Sequence, residues 1–206
     1  MSLQGKKSAG IVKKLFQLDL DSFPAYGHVT VAYGGGRTAR LAKISRTGRP
    51  GADFWCDPAE AEDLWECLKD AGGVPSGSAV LEPARIEGGI ARYGVDMDES
   101  NLVLEANLPN AVATKKGCYI GQEVVARVMS RGHVNKILTG MTLDTVVEEG
   151  AAVYFENNAV GKITSCAWSP KLGKAVALGY VKYAFADRRG LEISAGSGVP
   201  GVLTPP

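Results

Sequence analysis

Residues 137–182 read ILTGMTLDTVVEEGAAVYFENNAVGKITSCAWSPKLGKAVALGYVK. The stretch holds short β-branched or alternating apolar runs: ILTGMTL, AAVYF, AVGKITSC and AVALGYVK, with LEIS following at 191–194. Turn residues separate them. Glu156-Asn157-Asn158 marks a hairpin and Ser169-Pro170 opens a longer loop. Strands this short at this spacing predict a small antiparallel barrel or sandwich. The Gly- and Pro-rich tail GSGVPGVLTPP is expected to be loosely held.

Upstream the pattern mixes helices and strands. Ile11, Val12, Leu15 and Phe16 fall at helical spacing within a segment running from Gly10 to Phe23. HVTVAY (28–33) and RLAKIS (40–45) flank GGGRTA and predict a hairpin. Gly34-Gly35-Gly36 does not open a helix, and no Gly-Lys-Ser/Thr follows, so it reads as a turn rather than a phosphate loop. In DPAEAEDLWECLKDAGG, from Asp57, Asp57 is placed to cap a helix and Pro58 to start it. Ala61, Leu64, Trp65 and Leu68 form its expected buried stripe. Pro83 should break any helix begun at Ser78, which makes Glu82 an alternative start. Asp96, Asp98 and Glu99 are spaced suggestively for calcium, but the EF-hand glycine and terminal glutamate are missing, so a polar loop is the reading. The domain boundary falls near 134–140. The fold class is α+β, with an α+β unit over 1–136 and a β-barrel over 137–206.

Composition excludes several classes. The chain has 206 residues, 45% hydrophobic and 22% charged, with a formal net charge of +1. That is ordinary for a globular protein and shows no global bias toward a polyanion. No apolar run approaches the ~20 residues that span a bilayer, so no membrane partner is expected. MSLQGKK lacks a signal-peptide core and reads as a remnant or cut point. The four cysteines form no C-x-x-C pair, and two histidines offer no zinc spacing, so no metal site is expected. The plain reading is a reduced, cytoplasmic protein.

The chemistry gathers around Cys118. Between residues 115 and 136 stand five cations (Lys115, Lys116, Arg127, Arg131, Lys136) against one acid, Glu123. GQEVVARVMSRG reads as a helix with Val124, Val125 and Val128 on its apolar face and Gly132 at its end. Cys118 would lie just before that helix's N-terminus, where dipole and cations favour a thiolate. The alternative is a tight loop around a small buried residue. The cations read as a solvated face or as an anion site. Nucleic acid is the weakest of the anion readings, because Tyr119 is the only aromatic beside them.

KGCYIGQE, Lys116–Glu123, resembles the signature of the YgfZ-type folate-binding proteins, in the superfamily of the glycine-cleavage T-protein, the tetrahydrofolate-dependent aminomethyltransferase. ISRTG (44–48), ARIEGGIARYGVDMDE (from Ala84) and GKITSCAWSPKLGKAVALGYV (from Gly161) resemble other T-protein segments. The resemblance covers residues 11 to about 195. It implies an α/β unit of T-protein type followed by the barrel, and tetrahydrofolate as cofactor. It implies that Arg85 faces the folate cavity, pairing with the glutamate tail or orienting a neighbouring acid. Lys116, Tyr119, Gln122 and Glu123 are the other implied cofactor-binding residues. Cys118 is the implied reactive residue, for a redox or cluster-contacting step. The implied role is accessory support of iron–sulfur cluster assembly or repair, with iron–sulfur enzymes or cluster-assembly proteins as partners. The alternatives are an aminomethyltransferase, or a binding module without a ligand.

Two departures accompany the resemblance. RTGRPGADF (46–54) places Ala52 where T-proteins carry the pterin-binding glutamate. Family members also extend further at the N-terminus, where their catalytic aspartate lies, so this chain is expected to lack a closed folate cavity.

Overall fold

A computed structural model describes residues 1–113 and 116–204, with backbone only at Arg131. The chain divides into two units, Met1–Leu81 and Glu82–Pro206. The sequence reading put its boundary after residue 136; by compactness the segment that begins at Glu82 goes with the barrel strands.

The first unit is a four-stranded antiparallel sheet with two helices. Its strands are β1 (Ser2–Gln4), β2 (His28–Tyr33), β3 (Arg37–Lys43) and β4 (Gly51–Trp55), in the order β1-β4-β3-β2. Helices α1 (Ser8–Phe16) and α2 (Ala61–Asp70) contribute Val12 and Leu64 to a core that also holds Leu20, Leu41 and Phe54. The hairpin of β2 and β3 has the expected glycine turn, with all three glycines left-handed.

Several expectations are corrected here. Within MSLQGKK, residues 2–4 form a strand that pairs with β4. The first helix stops at Phe16 because Gln17 turns left-handed, and residues 20–22 form a separate 3₁₀ turn capped by Asp19. Trp65 is 41% exposed, so the stripe of α2 rests on Leu64 and Leu68. Asp57 caps as read, accepting the Ala59 N–H at 2.9 Å, although the turn it opens is 3₁₀ before α2 begins.

Helix α3 (Ser78–Glu87) runs straight across Pro83. A proline there costs about 3 kcal/mol of helix stability. Burial of Arg85 and Ile86 in the following turn offsets it. Helix α4 (Gln122–Arg131) lies where the sequence puts it, between the left-handed glycines Gly121 and Gly132.

The second unit is built on a closed antiparallel barrel of six strands: β5 (Lys136–Leu143), β6 (Ala152–Phe155), β7 (Asn158–Ser169), β8 (Lys174–Lys182), β9 (Glu192–Ala195) and β10 (Val199–Leu203). A short helix, α5 (Tyr183–Ala186), links β8 to β9. Glu156 and Asn157 are both left-handed, as a tight β6–β7 hairpin requires. The tail supplies β10, which pairs with both β5 and β9 and closes the barrel. Its glycine and proline content masked a strand held by tertiary pairing.

Strand β8 is buried on both faces, which is why AVALGYV reads as one apolar run. Ala175, Ala177 and Val181 face the barrel interior with Met141, Val153 and Ile163. Val176, Leu178 and Tyr180 join Leu138 and Ile86 in a separate outer cluster. Among the described residues no helix is long and apolar enough to cross a membrane.

Gly179 sits where strands come too close for a side chain. A Cβ there would lie 2.5 Å from the Lys162 carbonyl oxygen and 2.7 Å from Met141 Cε. Gly179→Ala is therefore expected to destabilise the protein by about 1–3 kcal/mol, read as a lowered unfolding midpoint. An unchanged midpoint would show that the strands can separate without cost.

Candidate functional site

Arg85 lies on the last turn of α3 and is only 4% exposed. A buried guanidinium must have its donors matched. Here they are: Nη1 donates to Asp96 Oδ2 at 2.7 Å and to the Ile90 carbonyl at 3.0 Å. Nη2 donates to Ser165 Oγ at 2.6 Å and to Glu82, and Nε donates to Glu82 Oε2 at 3.0 Å. Arg92 ties to the same Glu82 carboxylate at 2.9 Å.

Asp96 is 1% exposed and is satisfied as fully as Arg85. Its Oδ1 accepts from Thr164 Oγ1 and Ser165 Oγ, both at 2.6 Å, and its Oδ2 also accepts from the Arg92 backbone N–H at 2.9 Å. Thr164 and Ser165 are neighbours in β7, and in a regular strand neighbours point to opposite faces. A register shift between Ile163 and Ser165 breaks that alternation. The bulge lets both hydroxyls reach one carboxylate oxygen.

Burial works against the Arg85 charge, but Glu82 and Asp96 outweigh it and hold the guanidinium above its ordinary value. Arg85 in turn, through its hydrogen bonds, holds the Glu82 carboxyl below its ordinary 4.5. Of the two roles expected for Arg85, the arrangement matches orientation of a neighbouring acid. Asp96, the residue suspected of a calcium role, belongs to this ion pair, and no metal-binding cluster occurs among the described residues. Thr164 and Ser165 were not singled out from sequence, and Glu82 only as a helix start. Nothing local in KITSC marks a bulge that faces residues nearly 70 positions upstream.

The motif residues lie elsewhere in the second unit. Cys118 is an exposed free thiol in the turn ahead of α4. Lys116 stands 4.9 Å from the Tyr119 ring centroid, a cation–π contact. Tyr119 is half-buried, and its carbonyl accepts the Gln122 N–H at 3.2 Å, opening the helix. Gln122 is half-buried and Glu123 is exposed in the first turn. On the expected apolar face, Val125 and Val128 are half-buried while Val124 is exposed. The hydrogen bonds of Arg85 go to Glu82, Ile90, Asp96 and Ser165, so they do not gather the motif around it. Lys115 lies outside the described residues, as does the side chain of Arg131.

In the first unit, β4 alternates. Ala52 packs into the apolar core beside Phe54 and Leu41, while Asp53 occupies the opposite face. Asp53 is 2% exposed, and Arg46 of the RTG segment clamps it, with Nη2 at 2.6 Å from Oδ2 and Nε at 3.0 Å. The carboxylate found wanting at Ala52 is thus present one residue later, on the face away from the core.

Two family models match this chain in succession. The GCVT N-terminal domain matches residues 1–116, and the glycine cleavage T-protein C-terminal barrel domain matches residues 136–205. The chain belongs to the glycine-cleavage T-protein family. It is similar to the aminomethyltransferase of Streptomyces avermitilis, 33% identical over 197 residues that make up 90% of this chain and 52% of that protein. The aminomethyltransferase of Thermosynechococcus vestitus is 34% identical over 191 residues, 90% of this chain and 51% of its own length. The crystal structure of the glycine cleavage system aminomethyltransferase T from Bartonella henselae superposes with a TM-score of 0.76 at 20% identity, over 95% of this chain and 55% of that one. This likeness shows a shared fold. The chain therefore spans about half the length of the T-proteins it matches.

Two outcomes follow from the ion pair. Asp96→Ala removes one of the two carboxylates paired with the buried Arg85 and leaves Nη1 and the β7 hydroxyls short of an acceptor, so it should lower the unfolding free energy by about 2–4 kcal/mol in urea denaturation. A loss no larger than that of a surface substitution would mean that the pair is not desolvated. Glu82 has a lowered folded-state pKa, so its contribution is complete above 4.5 and is lost as pH falls through the lowered value. Glu82→Gln should flatten the acid limb of the stability–pH curve below 4.5. Parallel limbs for variant and wild type would refute the linkage.

Proposed function

We propose that this chain is part of a tetrahydrofolate-binding protein of the aminomethyltransferase type. The observation that carries this reading is the ordered match of both T-protein domains along one chain, to relatives named aminomethyltransferase. It was the alternative at the level of sequence motifs, and the comparisons support it over an iron–sulfur role. The relatives described above are named aminomethyltransferase, and the iron–sulfur role stays tied to the KGCYIGQE resemblance.

Asp53 is the acid assigned to the pterin ring. Pterin N–H groups need an acceptor when buried, and a carboxylate oxygen is a strong one. Arg46, whose side chain is 52% exposed, guards Asp53 and can swing toward solvent to free a lone pair. Arg85 serves as a positioning residue, through Asp96 and the β7 bulge.

The exposure of Cys118 favours a second reading, in which its thiol meets a partner protein directly. One experiment separates the two. Tetrahydrofolate is titrated into wild type, Asp53→Asn and Cys118→Ala, with circular dichroism confirming that each is folded. The transferase-type reading expects binding weakened about tenfold or more in Asp53→Asn, the loss of one charge-assisted hydrogen bond, and unchanged in Cys118→Ala. Equal binding by wild type and Asp53→Asn, or none by any, would sink the Asp53 assignment. Weakening confined to Cys118→Ala would favour the motif-centred reading.

A further inference from the structure

The outer wall of the barrel carries an arrangement that the folate reading does not use. Lys136 on β5 and Lys182 on β8 are directly opposite each other across the strand pair. Lys162 on β7 is directly opposite Tyr180, the residue two before Lys182 on the same face of β8. Three ammonium groups are thereby brought to one patch of three adjacent strands. Like charges directly opposed on a sheet are destabilising. Among the described residues, none of the three has a carboxylate within 4.0 Å. The influence of Lys136 reaches Asp98, but the Asp98 carboxyl is lowered chiefly by hydrogen bonds from Ser100.

The lysines surround a depression of about 310 Å³ whose lining also includes Ala159, Val160 and Tyr180. Two of them are held in place. Lys136 Nζ stands 4.8 Å from the Tyr180 ring centroid, and Lys182 Nζ donates to the Ala159 carbonyl at 3.1 Å. The stem of Lys162 passes beside Gly150, where an added Cβ would lie 3.5 Å from its Cε. The Tyr180 hydroxyl is itself buried, so the ring is what lines the depression.

We propose that Lys136, Lys162 and Lys182 form a phosphate-binding subsite on the outer barrel wall, taking the phosphate group of a small phosphorylated molecule. Three lysines without an arginine fit a compact, doubly charged phosphate as point charges. Bidentate recognition of a planar carboxylate calls instead for arginine. The apolar floor takes the body of the molecule. Tyr180 is 9% exposed, too buried to stack successive bases, so a nucleic-acid track is disfavoured. The bound phosphate would also relieve the repulsion between Lys136 and Lys182.

The test titrates inorganic phosphate into the intact protein at constant ionic strength, with chloride as the balancing anion. The lysine side-chain NMR signals and the unfolding midpoint are followed together. Phosphate is expected to raise the midpoint and shift the three lysine signals beyond the chloride control. Lys136→Met and Lys182→Met should each weaken phosphate binding about tenfold. Without phosphate each should unfold close to wild type, because the like-charge repulsion that goes offsets the lost contact with Tyr180 or Ala159. Lys69→Met, on α2, serves as the control and should bind phosphate as wild type does. The proposal is overturned if phosphate has no effect beyond chloride, or acts equally on all variants. It is also overturned if a single-stranded oligonucleotide binds at these lysines while inorganic phosphate does not.

Discussion

The ion pair between Arg85 and Asp96 is the constraint on which the second unit depends. Both charges are buried and both are hydrogen-bonded to capacity, with Glu82 as a second carboxylate on Arg85. A buried pair of this kind is weak evidence for net stability, because desolvation cancels much of the attraction. What it provides is position. Asp96 can accept Thr164 and Ser165 together only at the β7 bulge, so the segment after α3 has one register on the barrel. Once it lies there, Ile86 packs with Leu138, Val176, Leu178 and Tyr180 on the outer wall. The same anchor explains why α3 tolerates Pro83.

The first unit uses a second buried carboxylate differently. Asp53 is held by Arg46, but Arg46 is half exposed. Arg46 can reach water, whereas Arg85 and Asp96 are both enclosed. The chain thus holds two acid–arginine pairs with different exposure.

Charge is distributed with similar economy. The chain is nearly neutral, yet cations concentrate before and along α4 and again on the outer faces of β5, β7 and β8. Lys136 was counted from sequence with the α4 group. Strand pairing sets it beside Lys182 and Lys162 instead, because register overrides proximity along the chain. Strand pairing thus groups Lys136 with the barrel lysines, while Cys118 lies in the segment that leads into α4.

Local physics was enough for much of this protein. Alternation and turn chemistry marked five barrel strands, paired glycines marked both ends of α4, and a proline after Asp57 marked the start of the α2 region. The T-protein segments marked the superfamily, which both family models bear out, whereas the YgfZ-type reading of KGCYIGQE gains no support from them. Four features were decided only by the tertiary structure. Residues 199–203 became a strand because β5 and β9 each left an edge to pair. Ala52 and Asp53 were sorted by which face of β4 meets the core. One partner of Arg85, Ser165, came from a bulge 80 residues away, and bulges leave no periodic trace. Three lysines met because strand register, a property of pairs of strands, placed them on one wall.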